Sequence, residues 1–153
     1  MLLCLPRNAL DIHMNPTSSW ELHPQLEHDT LFLGDLPLSR VLLSKDANYP
    51  WLVLVPRRAA LVEVTDLAPA EQMQLTMEIN RAARALKDVT ACDKLNIATL
   101  GNMVPQLHIH IIARRTTDPA WPQPIWGKVP PRDYEAAALD RLMTALRPQV
   151  GIA

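Results

Sequence analysis

Between Gln106 and Ile111 polar and apolar residues alternate, Gln106-Leu107-His108-Ile109-His110-Ile111, with the two-residue period of a half-buried strand. Side chains two apart on a strand share a face. The pattern therefore predicts Gln106, His108 and His110 on one side and Leu107, Ile109 and Ile111 toward a core, in a strand running on to Arg114. Trp51-Leu52-Val53-Leu54-Val55-Pro56 is apolar throughout and predicts a central strand covered on both faces, stopped by Pro56 before a solvated loop at Arg57-Arg58. Ser39 to Ser44 predicts its neighbour, joined to it by the turn-rich Lys45-Asp46-Ala47-Asn48-Tyr49-Pro50. Leu31 to Pro37 predicts a short strand entering a turn. Leu95 to Leu100 predicts another, with Gly101-Asn102 as a tight turn into the Gln106 strand.

Between these strands the period changes. Pro69 suits the first turn of a helix, where a missing N–H costs nothing. Leu75, Ile79, Ala82 and Leu86 then recur at helical spacing, with Glu71, Glu78, Arg81 and Arg84 mostly off that face. A last helix carries Leu139, Leu142 and Leu146 on one face and ends at Pro148. Residues 115–131 predict an ordered, stiff surface loop, because Thr116 to Pro131 hold five prolines with Trp121 and Trp126, too few donors for a sheet. The order is that of an α+β domain: an antiparallel sheet of about five strands, one long helix packed on it and a short C-terminal helix.

With 153 residues, 48% hydrophobic and 20% charged, the chain reads as one soluble domain, 1–153, able to bury a real core. A net charge of -1 and the lack of a Lys/Arg run argue against a nucleic-acid partner. Cys4 and Cys92 lack CxxC spacing and suggest a reducing, cytoplasmic setting rather than a disulfide framework. The start, Met1-Leu2-Leu3-Cys4-Leu5-Pro6, lacks the basic and long apolar regions of a signal peptide, and no run reaches membrane-span length. Residues 1–14 read as an N-terminal extension, or as a segment preceding a start at Met14.

Two imidazoles on one strand face admit three readings. A neutral imidazole can attack phosphorus and form a covalent phosphoramidate, with the second imidazole donating to phosphate or leaving group and the Gln106 amide adding a donor. A His-x-His pair can also chelate zinc, which needs a third and usually a fourth ligand, and the nearest carboxylate in sequence is Asp118. Third, the pair can be two satisfied histidines on a solvated strand. Trp51 reads first as core or wall. Trp121 and Trp126 read as a lid over a phosphate groove or as packing for their loop, and His23 and His28 as surface or capping residues.

The wider string Gly101-Asn102-Met103-Val104-Pro105-Gln106-Leu107-His108-Ile109-His110-Ile111-Ile112-Ala113-Arg114 resembles the signature of the histidine triad (HIT) superfamily, His-φ-His-φ-His-φ-φ. The upstream hairpin, the long helix and the strand beginning Lys94-Leu95-Asn96-Ile97-Ala98 fit as well, so the resemblance covers roughly Leu31 to Arg114. It implies that His108 is the nucleophile and that His110 contacts phosphate and assists the leaving group. Gln106 stands at the first triad position, where its carbonyl orients the nucleophile and its side chain can donate to phosphate but cannot titrate. The chain also departs from the pattern. Trp51 stands where a further histidine is common, and Asn102-Met103 replaces a Gln-Ser or Gln-Thr pair that donates to phosphate. Asn96 matches an asparagine of the equivalent strand, and ribose-binding residues are expected near Ser44 to Asp46.

The resemblance implies a homodimer with a HIT-like fold, holding a purine nucleotide in a cleft floored by the Gln106 to His110 strand. The expected activity is nucleotide phosphohydrolysis or nucleotidyl transfer at the α-phosphate of dinucleoside polyphosphates or nucleoside phosphoramidates, through a nucleotidyl-His108 intermediate. No cofactor or metal is expected to be required, although a divalent cation can accompany a polyphosphate substrate. The alternative is a purine-nucleotide-binding protein with little or no catalysis. A zinc-binding module is a third possibility, and neither a nucleic acid nor a membrane partner is expected.

Overall fold

Five antiparallel strands form one sheet in the order β1-β2-β3-β5-β4: β1 Thr30–Asp35, β2 Ser39–Ser44, β3 Trp51–Pro56, β4 Lys94–Thr99 and β5 Ile109–Arg114. Among the described residues three α-helices accompany them, α1 Pro24–Asp29, α2 Pro69–Thr90 and α3 Ala136–Val150. This computed structural model describes residues 19–152, so Cys4, Met14 and the 1–14 extension lie outside the described residues.

The central strands β3 and β5 are buried on both sides, which explains the unbroken apolar run of β3. Toward α2 and α3 the sheet presents Leu33, Val41, Leu43, Leu52, Leu54, Ile109, Ile111 and Ala113, packed with Leu75, Ala82, Leu86, Leu146 and Val150. On the other face Leu42, Val53 and Val55 meet Leu26 of α1 and the flanking Trp20 and Leu22. Leu107, Ile109 and Ile111 all enter the main core, as the alternation predicts. Helix α1 is too short to show a periodicity. His23 caps it by accepting from the Gln25 N–H, one of the donors a helix N-terminus leaves unpaired.

Helix α2 opens with Pro69 and closes at Ala91 in the left-handed conformation (φ 48°). Glu78 corrects the helical pattern. It is buried on the core side, where its two carboxylate oxygens accept from the Leu38 and Ser39 N–H groups at 2.8 and 2.9 Å. The β1–β2 turn thus finds its missing acceptors on a helix, and a charged residue on the apolar face becomes a hydrogen-bonded tie. Helix α3 continues past Pro148 to Gly151, because a proline in the last turn deletes a single helical bond. Ile152 then packs under β1, where a Cβ on Gly34 would stand 2.2 Å from its Cγ2. Any side chain there would have to displace Ile152, at the irregularity between Phe32 and Gly34 in the β1–β2 pairing.

No strand forms in residues 115–131, in accord with their prolines. The segment is anchored by Arg114, which is 1% exposed. Arg114 donates twice to Asp118, at 2.7 and 3.0 Å, to Asn96 Oδ1 at 2.6 Å and to the Gln123 carbonyl at 2.9 Å. The rings of Tyr49 and Trp121 lie against its guanidinium. Burial pushes the Asp118 carboxyl up, but the Arg114 side chain and the Arg115 and Ala120 N–H groups hold it below its ordinary range.

Candidate functional site

The site is built where β5 begins. The pairing of β5 with β3 and β4 starts at Ile109, opposite Leu54 and Thr99. Gln106, Leu107 and His108 precede the strand, and the connection from β4 is an irregular loop over residues 100–108 rather than a two-residue turn at Gly101-Asn102. Pro105 has no N–H to offer a ladder, and the Leu107 N–H bonds to the Leu61 carbonyl at 3.0 Å. The side-chain alternation survives outside the strand, with Leu107 in the main core and His108 lining the cleft.

Gln106 does not face the cleft through its amide, contrary to expectation. Its Nε2 donates to the Glu21 carbonyl and its Oε1 accepts from the His23 N–H, both at 2.9 Å. An amide carries a donor and an acceptor and can pair with passing backbone as a strand would; an imidazole could not present both so compactly. The expectation holds in its backbone half, since the Gln106 carbonyl accepts from His108 Nδ1 at 2.7 Å. A carbonyl accepts only, so the neutral His108 ring carries its proton on Nδ1 and leaves a lone pair on Nε2.

His110 is held the opposite way. The Trp51 indole Nε1–H donates to His110 Nδ1 at 3.1 Å, and an indole N–H is only a donor, so the neutral ring carries its proton on Nε2. The two imidazoles meet edge to face with centroids 4.7 Å apart, and Trp126 lies 5.4 Å from His110 and 6.2 Å from Trp51. Burial, followed by the neighbouring His108, pushes the His110 pKa down to about 4. Both histidines are buried, at 6% and 7% exposure, yet both reach the cleft.

That cleft has a volume of about 390 Å³. Leu26, Val53, Leu100, Met103 and Val104 make it largely apolar, and Asp29, Thr30, Ser44 and Asn102 add polar groups. Of the residues singled out in the sequence, His108, His110, Trp51, Ser44 and Asn102 line it together. Asn96 does not, because its side-chain oxygen is committed to Arg114. Trp126 is a wall of the cleft and Trp121 packs on Arg114, so the two tryptophans divide between the two roles considered for them. Gln25 and Asp29 also line the cleft and were not legible, since α1 gave no signal that it lay there. Ser44 Oγ accepts from the Asp46 N–H at 3.2 Å, which fixes the hydroxyl at the end of β2.

Among the described residues no three His, Cys, Asp or Glu side chains converge as a metal site would require. Asp118, the nearest carboxylate in sequence, is turned to Arg114. Cys92 is a buried free thiol in the main core, and no helix among the described residues is long and apolar enough to cross a membrane.

A five-stranded antiparallel sheet with a long helix on one face, and paired imidazoles where the strand after that helix's hairpin begins, defines the histidine triad class. The chain belongs to the HIT family, matching the HIT domain over residues 25–117. It is similar to the crystal structure of a histidine triad protein from Bradyrhizobium japonicum at 57% identity and a TM-score of 0.85, over 86% of this chain and 98% of that one. A histidine triad protein from Sinorhizobium meliloti matches at 40% identity and a TM-score of 0.83, over 85% and 96% of the two chains. Another, from Marinobacter aquaeolei, matches at 40% identity and 0.83, over 86% and 96%. No curated protein matches the chain.

Proposed function

We propose that this HIT-family chain is a nucleotide phosphohydrolase or nucleotidyl transferase acting at the α-phosphate of dinucleoside polyphosphates or nucleoside phosphoramidates. The observation that carries this reading is the 2.7 Å bond from His108 Nδ1 to the Gln106 carbonyl, which leaves the Nε2 lone pair available in a cleft with a second imidazole beside it. In the first step Nε2 attacks the α-phosphorus, a nitrogen–phosphorus bond forms, and the leaving group departs with the electron pair of its own bond to phosphorus, a phosphate as an anion and an amine with a proton taken up from solvent. Water then attacks the same phosphorus, the nitrogen–phosphorus pair returns to Nε2, and the water's proton passes to solvent. His110 Nε2–H serves as a hydrogen-bond donor to oxygen on phosphorus or on the leaving group.

In this reading the purine nucleoside lies against Leu26, Val53 and Val104, with Ser44 and Asp29 at hydrogen-bonding reach of its sugar and Asn102 toward phosphate. The residues named for the covalent steps are all side chains of this protein, and a divalent cation enters only as a companion of a polyphosphate substrate. A homodimer is part of the proposal. β4 is an outer strand of the sheet with Ile97 exposed, and Met73 and Met77 stand exposed one helical turn apart on α2. Sedimentation at micromolar concentration tests it, with a mass near 34 kDa expected, twice the 17.2 kDa chain.

The catalytic reading is tested by intact mass spectrometry after a brief quench that avoids acid, using an adenosine phosphoramidate and a diadenosine polyphosphate. An AMP-sized adduct absent from His108→Ala, with AMP accumulating in the wild type alone, is the expected result. Nucleotide binding with neither adduct nor AMP replaces it with the binding-only alternative.

A further inference from the structure

Around His110, proton donors and acceptors are distributed in a way that bears on which leaving groups the site can expel. Nδ1 is occupied by the Trp51 indole N–H at 3.1 Å, and the indole ring is 5.3 Å from the imidazole, tilted by 59°. Trp126 closes another side, and the titratable ring against His110 is His108. Val53 of β3 and Ala98 of β4 stand opposite His110 in the sheet and contribute no charge. Among the described residues no carboxylate hydrogen-bonds to His110, and its Nε2 makes no hydrogen bond. A second proton on this ring would have to enter at Nδ1, which requires expelling the indole N–H and placing a cation against a donor in a buried site.

We propose that Trp51 is a positioning residue that locks His110 as a neutral Nε2–H donor, so that the site favours substrates whose leaving group departs as an anion over substrates whose leaving group must be protonated. The inference rests on the phosphohydrolase reading and narrows it. A hydrogen bond from Nε2–H stabilises charge building on a departing oxygen without surrendering the proton, since losing it would leave an imidazolate. A phosphate or polyphosphate leaves as an anion. The bridging oxygen keeps the bond pair, His108 Nε2 forms the new bond to phosphorus, and no proton need move. An amine leaving from a phosphoramidate takes the bond pair on nitrogen and must gain a proton, which the locked ring does not supply. The low pKa of His110 agrees with the geometry, because it keeps the imidazolium unpopulated at neutral pH.

Nitrogen-15 correlation spectra of the intact protein, with His110 assigned through His110→Gln, read the lock directly and without turnover. The expected wild-type spectrum shows Nδ1 unprotonated and Nε2 protonated from pH 6 to 8. Trp51→Phe keeps an aromatic ring and removes the donor, so a mixed tautomer and an upward shift of the His110 titration are expected. A protonated Nδ1 in the wild type overturns the lock. Kinetics supply the second arm, with diadenosine tetraphosphate and adenosine 5′-phosphoramidate compared by kcat/KM. A wild-type preference for the polyphosphate that shrinks by roughly tenfold in Trp51→Phe is expected, the equivalent of one hydrogen bond. A wild-type preference for the phosphoramidate, or a ratio unmoved by the substitution, overturns the selectivity. Turnover of neither substrate would overturn the phosphohydrolase reading and the selectivity together, while the spectrum would still decide the lock.

Discussion

His110 and Arg114 sit on the same face of β5, four residues apart, and both are buried. Arg114 spends its donors on Asp118, Asn96 and the Gln123 carbonyl. His110 receives one bond, from Trp51, and turns its other nitrogen to the cleft. At one end the polar group is closed off by protein partners and holds a loop in place. At the other, capacity for hydrogen bonding is left for something the protein itself does not supply. Burial of a polar group therefore does not tell structure from function; the number of its partners does.

The sharpest way to break this contrast is to remove each group and ask what fails. His108→Ala is expected to lower kcat by at least about a thousandfold while the melting temperature changes little, since a nucleophile has no substitute. Turnover assays beside thermal melts would show it, and retained kcat would end the distinction. Arg114→Met should do the reverse. It is expected to cost roughly 3–5 kcal/mol of stability in urea titrations, because Asp118 is left buried without its cation.

Acid offers a probe of both ends in one experiment. The folded pKa of His110 is about 4 against an ordinary 6.5. As pH falls below 6.5 the unfolded chain takes up a proton that the folded chain refuses, and the difference is complete once pH drops past the folded value. Stability should therefore decline between pH 6.5 and about 4, by about 3 kcal/mol in all, and then level with respect to this group. Asp118, whose pKa is lowered below 3.8, adds a loss only further down, as pH falls through its folded value. His110→Gln should flatten the upper part of the curve and leave the lower part unchanged in pH-dependent denaturant melts.

Two smaller substitutions sharpen the boundary between the ends. Asn96→Ala should cost about 1–2 kcal/mol by stranding an Arg114 N–H, with KM for nucleotide unchanged. A raised KM without loss of stability would return Asn96 to the substrate. Gln106→Ala should cost about 1 kcal/mol and speed amide hydrogen exchange at Glu21 and His23, whose backbone it ties.

The strands were legible because their periods are set by which faces are buried, and β3 showed both of its covered faces as an unbroken apolar run. His108 and His110 were legible because imidazoles stand out in such a pattern. The fate of Gln106 was not. Whether an amide points to a ligand or to the backbone of Glu21 and His23 depends on a contact 85 residues away in sequence. Glu78 escaped for the same reason, as its acceptors are needed by the β1–β2 turn, which periodicity does not see. Trp51 reads as a wall from the sequence, and only the register that sets it near His110 turns its N–H into a tautomer-selecting donor. For Asn96 the family likeness carries residue type but not the orientation of the side chain, whose oxygen goes to Arg114.

The spacing of His110 and Arg114 also bears on how the chain finds its pairing. β5 is buried along its whole length and joins two neighbours, so apolar contact alone would tolerate a slip by one residue. Such a slip exchanges the two faces and would drive the guanidinium of Arg114 under α2, away from Asp118. Two polar marks of even spacing thus act as a key for strand alignment during folding, and the residues that equip the cleft help ensure that only one version of it is assembled.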